Sequence, residues 1–460
     1  MRYKHIILFY NKTSYNNLEV YVIVPITCTE WSKASEISSD KYVGKTVCLR
    51  GWIYRRRVVG GKAFIVLRDS SGIIQVVADK RDVGEEKVRE FKDIGLEASI
   101  MLKGKVVKQP RAPTGYEVHV EEIDIVGYSR DFPIKGGEGI EYLLDNRHLW
   151  VRSRRLTEIM KIKHHVLKAG RGYFIENDWW EVTPPILTAS AVEGGATLFP
   201  VKYFEKKAYL SQSAQLYLEA LIFSLEKVWS LTPSFRAEKS RTRRHLAEYW
   251  HLEAEAAWYN MEDMMRVAEE LVSYIVEKVL ENCRSQLEFL GRDINALKKA
   301  VEVPYPRIKY DEAIEILQRK GVNIEWGDDL GADEERILTQ EFDRPFFVTH
   351  FPKDIKSFYM KLAPDDPRTV LGFDLLAPEG YGEIIGGSER EDNYNRLLER
   401  IKEQGLNPED YTWYLDLRKY GSVPHSGFGL GIERLVMWIA GLDHIRDAIP
   451  FPRFRGRIYP

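Results

Sequence analysis

Cysteine is scarce: 460 residues contain three, Cys28, Cys48 and Cys283. They are widely spaced, form no CxxC pair and have no histidine arrangement beside them. The sequence therefore supports neither a disulfide framework nor a zinc site, and a reducing compartment fits. Excess charge is lacking as well. The formal net charge is −2, so nucleic-acid contact has to come from local patches such as Arg55-Arg56-Arg57, Arg152-Ser153-Arg154-Arg155, Arg241-Thr242-Arg243-Arg244 or the tail arginines 453, 455 and 457. Long apolar runs are missing. Ile6 to Tyr10 and Val20 to Ile26 fall far short of the ~20 residues a membrane helix needs, and no cleavage pattern follows the first, so the expectation is a cytoplasmic protein without span or signal peptide. Neither GxGxxG nor GK[ST] after four intervening residues occurs, which excludes the dinucleotide fingerprint and the P-loop. No Ser-His-Asp or Cys-His signature points to a covalent intermediate.

What is present fills two or three cores: 44% of residues are hydrophobic and 12% aromatic. Residues 1–36 match no pattern and are set apart as an extension. Within 37–130, strand signals at Thr46 to Trp52, Ala63 to Leu67, Ile73 to Val77, Ser99 to Val107 and Glu117 to Val126 predict a small closed all-β barrel. Residues 131–150, with Pro133, Gly136, Gly137 and Gly139, read as a hinge. From 151 to 460 helical spacing (Leu156 to Asn177, Gln215 to Leu225, Met261 to Cys283) mixes with strands (Trp180 to Ile186, Phe346 to Thr349, Val370 to Leu376, Ser426 to Leu430). That mixture predicts an α+β domain around an antiparallel sheet.

Two segments carry chemistry. Ser234-Phe235-Arg236-Ala237-Glu238, a polar loop and Arg244-His245-Leu246-Ala247-Glu248-Tyr249 put arginine, histidine and a ring on one hairpin, a layout suited to a polyphosphate beside a planar base; an ordinary charged hairpin is the plain alternative. Gly427-Phe428-Gly429-Leu430-Gly431-Ile432-Glu433-Arg434 has glycine at every second strand position, opening a flat surface, with tight helix–strand packing as the alternative.

Together with Val182-Thr183-Pro184-Pro185-Ile186 upstream, these segments resemble, in chain order, motifs 1, 2 and 3 of class II aminoacyl-tRNA synthetases. From about residue 43 to the end the chain is similar to their aspartyl/asparaginyl subgroup, in which the N-terminal barrel is an OB fold. The resemblance implies an ATP site in which Arg236 grips the α-phosphate and the amino acid's α-carboxylate, Arg244 and His245 hold the outer phosphates, Tyr249 stacks on adenine and Arg434 binds the γ-phosphate. Glu238, Leu246, Gly431, Ile432 and Glu433 complete that site, and Arg236 and Arg434 are its catalytic pair. Asp374 and Glu383 are implied as the Mg²⁺ carboxylates, hard oxygen donors that leave room for water and phosphate. No general base is required, because the substrate carboxylate is already a nucleophile.

Within the subgroup, the choice between L-asparagine and aspartate turns on charge. Aspartyl enzymes carry a lysine where this chain has Leu218, and usually aspartate where Glu253 stands. Glu253 with Arg390 then reads as a neutral pair, free of any ammonium, matched to a neutral amide. Glu193 and Gln215 are implied at the α-amino group. The phrases Glu383 to Arg390, Tyr414 to His425 and Ile445 to Arg453 look asparaginyl, so tRNA(Asn) is the expected partner. The alternatives are an aspartyl enzyme, one charging both tRNAs included, or a non-charging RNA-binding paralogue. Arg56, Phe64 and Gln75 match positions where the family holds the middle anticodon base. Motif 1 implies a homodimer.

Overall fold

Alternation and helical spacing translate directly into the elements of the computed structural model, which describes residue 26 and residues 28–189, 198–237 and 242–460. The chain forms two compact units, 1–138 and 139–460.

In the first unit, β1 (Thr46–Val59), β2 (Lys62–Arg68), β3 (Ile73–Asp79), β4 (Ser99–Lys108) and β5 (Tyr116–Gly127) close into a barrel in the order β1-β2-β3-β5-β4. All pairs are antiparallel except β3 with β5. Every second residue, Val47, Leu49 and Ile53, then Ala63, Ile65 and Leu67, fills its interior. The short helix Ala34–Ile37, expected in an uninterpreted extension, buries Ala34 and Ile37 in the same core, and Ala34 N–H donates to Asp69 at 2.9 Å. A second expectation is corrected here. Cys28 and Cys48 form a disulfide with Cα atoms 6.1 Å apart. Spacing concealed it: the chain before the barrel folds back along β1, where Ser32 N–H donates to the Cys48 carbonyl at 2.9 Å.

In the second unit β6 (Trp180–Glu181), β7 (Leu187–Thr188), β8 (Pro200–Tyr203), β9 (Lys206–Leu210), β10 (Lys227–Phe235), β11 (Glu248–Ala257), β12 (Arg307–Lys309), β13 (Phe346–Thr349), β14 (Gly372–Ala377), β15 (Gly382–Glu389) and β16 (His425–Gly431) supply the strands. The main sheet runs β12-β13-β14-β15-β16-β11-β10-β6, antiparallel through its middle with parallel pairs at both edges; β7, β9 and β8 form a separate sheet. The strand expected over Trp180 to Ile186 stops after two residues, because Pro184 and Pro185 offer no N–H to a ladder. Helices Arg154–Glu176, Met261–Asn282 and Ile432–Ile439 share one core with the main sheet. The second of these starts at a capping box, Asn260 with Asp263. Residues 140–150, read as hinge, are instead two short helices of this unit. Arg147 is buried there and donates to the carbonyls of Arg446, Ile449 and Pro450 at 3.0, 2.8 and 2.7 Å, which no mobile linker would do. Among the described residues no helix is long and apolar enough to cross a membrane.

Candidate active site

Strand alternation builds the site on the sheet face away from the shared core. On β11, Leu252, Ala254 and Ala256 enter that core, so His251, Glu253 and Glu255 take the opposite face. β10 and β11 pair without a slip from Lys227↔Ala256 to Phe235↔Glu248, which holds the hairpin carrying Arg236 in fixed register. Arg236 N–H donates to the Ala247 carbonyl at 3.0 Å, and its guanidinium sits 5.7 Å from the Tyr249 ring centre.

Two cavities adjoin. One of about 510 Å³ gathers Arg236, Arg244, His245, Leu246, Tyr249, Glu383, Gly431, Glu433 and Arg434, nine of the residues expected around ATP. The other, about 750 Å³, gathers Gln215, Glu253, Glu255, Lys356, Asp374 and Arg390. Arg236, His251, Glu383 and Gly429 line both.

Three ion pairs hold charged residues around the two cavities. Arg434 Nη1 lies 2.7 Å from Glu383, Lys356 Nζ 2.7 Å from Asp374, and Arg244 Nη1 2.8 Å from Glu335. Burial opposes charge on Glu383, but Arg434 and Lys356 outweigh it and bring that carboxyl down to about 2. For Asp374 burial wins over Lys356, and with Glu383 nearby its carboxyl is pushed up to about 7. The two acids stand on paired strands, Asp374 opposite Gly386. A Cβ at Gly386 would lie 3.1 Å from Glu383 Oε1 and 3.5 Å from Asp374 Oδ1, so both carboxylates border one space kept open by glycine. Two hard donors fit Mg²⁺, which keeps most of its shell for water and phosphate.

The glycines of β16 do something more specific than open a floor. A Cβ at Gly427 would fall 2.0 Å from the Glu255 carboxyl carbon, and one at Gly429 would fall 2.3 Å from His251 Nε2, so two of the three gaps are already filled by side chains. Gly431 has ordinary room.

The amino-acid readings need correction. Arg390 pairs with Glu255, not Glu253: it grips both Glu255 oxygens and donates to Ser388 Oγ at 2.8 Å. Burial pushes the Glu255 carboxyl upward against the pull of Arg390; burial opposes charge on Arg390 too, but there Glu255 outweighs it and holds the guanidinium charged. Glu253 accepts instead from Ser213 Oγ and from Ala214 N–H at 2.9 Å. Leu218 does not line the cavity; it is buried with Ala214, Ile222, Val228 and Ala257. An ammonium is present after all, since Lys356 lines the cavity, though committed to Asp374. Gln215 lines the same cavity and donates to Glu219 at 3.0 Å. Beneath it Glu219 is fully buried and also accepts from Arg418, Tyr414 and His425; burial opposes its charge, and Arg418 and His425 more than compensate. Ile432 is buried in the core and lines neither cavity. Glu193 and Glu238 lie outside the described residues.

Glu255, Glu335, His251 and Lys356 escaped sequence reasoning. A period of two from Glu253 could have found Glu255 and His251; Glu335 and Lys356 come from segments without a motif and had no signal.

On the barrel, Phe64 and Gln75 share the outer face, Phe64 opposite Arg57 and Gln75 opposite Val66. Arg56 does not join them. A β-bulge between Ile53 and Arg55 shifts the alternation by one, so Arg56 lies opposite the interior Ile65 and donates to the Phe91 carbonyl at 3.0 Å. Arg57 takes the place beside Phe64, its guanidinium 5.6 Å from the ring centre. Gln75 Nε2 donates to Glu117 at 2.7 Å.

Residues 139–455 match the family described as tRNA synthetases class II (D, K and N), and 47–126 match the OB-fold nucleic acid binding domain. The chain is 62% identical over 417 residues to the asparagine-tRNA ligase of Thermococcus gammatolerans, covering 91% of this chain and 96% of that one. A crystal structure of asparaginyl-tRNA synthetase from Pyrococcus horikoshii, complexed with asparaginyl-adenylate, superposes with a TM-score of 0.91 at 58% identity, covering 94% of this chain and all of that one. A putative aspartyl-tRNA synthetase from Leishmania major superposes with a TM-score of 0.80 at 27% identity, covering 95% and 97%.

Proposed function

This chain belongs to the class II tRNA synthetases of the D, K and N group, and on that premise we propose that it ligates L-asparagine to tRNA(Asn) through an asparaginyl-adenylate made from ATP. The observation that carries this reading is that one guanidinium, Arg236, lines both cavities. ATP in the first and asparagine in the second bring carboxylate and α-phosphorus together there. The carboxylate oxygen attacks, pyrophosphate leaves, and Arg236 offsets the charge that gathers on the phosphoryl oxygens. Arg434, Arg244 and His245 hold the outer phosphates and Tyr249 backs the adenine. Mg²⁺, held by Asp374 and Glu383, supplies further charge neutralisation when bound. Positioning and electrostatics suffice, and no residue has to take a proton.

Amide selection rests on the Glu255–Arg390 bridge. Arg390 donates to the side-chain oxygen, and Glu255 or Glu253 accepts from the amide NH₂; an aspartate carboxylate would face two acids across the same space. The 62% likeness to an asparagine enzyme, against 27% to the aspartyl one, supports the same choice. ATP–pyrophosphate exchange tests it. Asparagine is expected to drive exchange at least about 100-fold more efficiently than aspartate, and the reverse order overturns the assignment.

The barrel reads the anticodon in this proposal, with Phe64 as the stacking platform, Gln75 as the hydrogen-bonding edge and Arg57, in place of Arg56, at the phosphates. Phe64→Ala is expected to lower kcat/KM for tRNA charging by about 5- to 100-fold, the worth of one stacked base, and to leave tRNA-independent exchange unchanged. An equal fall in both assays would remove the barrel from recognition. Apolar side chains exposed around motif 1, Ile175, Trp180, Ile186 and Leu187, support a homodimer, and a cytoplasmic location suits the function.

A further inference from the structure

The helix Ala332–Leu338 lies in a stretch without any motif, yet its Glu335 pairs with Arg244, a residue that lines the first cavity. Glu335 Oε2 accepts from Arg244 Nη1 at 2.8 Å and from the main-chain N–H of Glu383 at 2.8 Å. Glycine at position 382 makes the junction possible: its φ is +72°, and a Cβ there would fall 2.2 Å from Glu335 Oε2 and 2.6 Å from Arg244 Nη1. Arg244 Nη2 reaches the Glu383 carbonyl at 3.3 Å, and the Glu383 carboxylate takes Arg434 at 2.7 Å. One acid from outside the three motifs thus ties the motif 2 arginine to the strand bearing Glu383.

We propose that Glu335 is a positioning residue for the outer phosphates of ATP: it holds Arg244 against β15 and keeps that guanidinium off the Glu383 carboxylate. The inference rests on the reading of the first cavity as the ATP site. An arginine already held loses little rotamer freedom when a polyphosphate arrives. A released one has two costs, being ordered and being drawn away from Glu383. Glu335 itself touches no substrate.

The test compares two ligands by isothermal titration with the full-length protein: ATP, and a non-hydrolysable sulfamoyl analogue of asparaginyl-adenylate, which lacks outer phosphates. Glu335→Gln is expected to weaken ATP about tenfold and to leave the analogue within about twofold. Glu335→Asp, with its charge kept but one methylene short, is expected to fall between. In an Arg244→Ala background, Glu335→Gln is expected to add no more than about twofold, because its effect runs through that arginine. Tighter or unchanged ATP binding in Glu335→Gln, equal losses for both ligands, or additive losses in the double variant would each overturn the proposal. A wild-type protein that binds the analogue but not ATP would sink the ATP-site reading itself, a result distinct from all of these.

Discussion

Arg236→Ala is expected to lower asparagine-dependent ATP–pyrophosphate exchange by about 10³-fold, the cost of removing a donor aimed at developing charge. The size follows from its place. Arg236 borders both cavities, so its loss strikes the attacking carboxylate and the α-phosphoryl oxygens together, where other cations each serve one side. Lysine is a poor substitute, since a single ammonium cannot present the two parallel N–H groups that bridge two oxygens; Arg236→Lys is expected to recover no more than about tenfold. The hairpin should survive either change, because main-chain bonds hold it: Arg236 N–H to Ala247 and the unbroken β10–β11 ladder. Thermal unfolding within a degree or two of wild type, beside collapsed exchange, is the expected outcome. Exchange within tenfold of wild type would remove Arg236 from the chemistry.

Arg390→Ala should injure fold and function separately, and the two can be parted. Its guanidinium is almost wholly buried against Glu255 and Ser388. Removing it strands a buried carboxylate, a change that costs about 3–5 kcal/mol. Burial already pushes Glu255 upward, so without Arg390 it takes up a proton on folding. A carboxyl raised in the folded state costs nothing below its ordinary value and increasingly more as pH rises toward its folded value, so the thermal midpoint of Arg390→Ala is expected to drop further at about pH 8 than at about pH 5. Adding Glu255→Gln removes the stranded charge and is expected to restore most of the midpoint. It should not restore exchange, expected to stay at least about 100-fold down in both variants, since the donor to the amide oxygen is still gone. Recovery of exchange in the double variant would show that Arg390 serves the fold alone.

How far the sequence could be read depends on which rule governed each residue. Barrel strands were legible because a closed five-stranded wall buries every second side chain, and the helix Gln215–Leu225 appears at its expected bounds. Phosphate-side residues were legible because the motifs are local: Arg236, Arg244, His245 and Tyr249 lie within one hairpin. Selectivity residues were not, because they depend on parity and distance. Glu253 and Glu255 both face the cavity, and only the fold shows that Arg390 meets the second. Arg56 was misplaced because one bulge reverses in from out, and no residue type announces it. Leu218 was assigned by correspondence with a lysine, but a leucine in its place joins the nearest apolar cluster.

The gap left at Gly427 is the gap that Glu255 fills, and Gly429 stands in the same relation to His251. Each pair shares a single volume, so a methyl at Gly427 or Gly429 requires the acid or the imidazole on β11 to move aside. Change at these two sites is therefore expected to come as paired replacements, one on each strand.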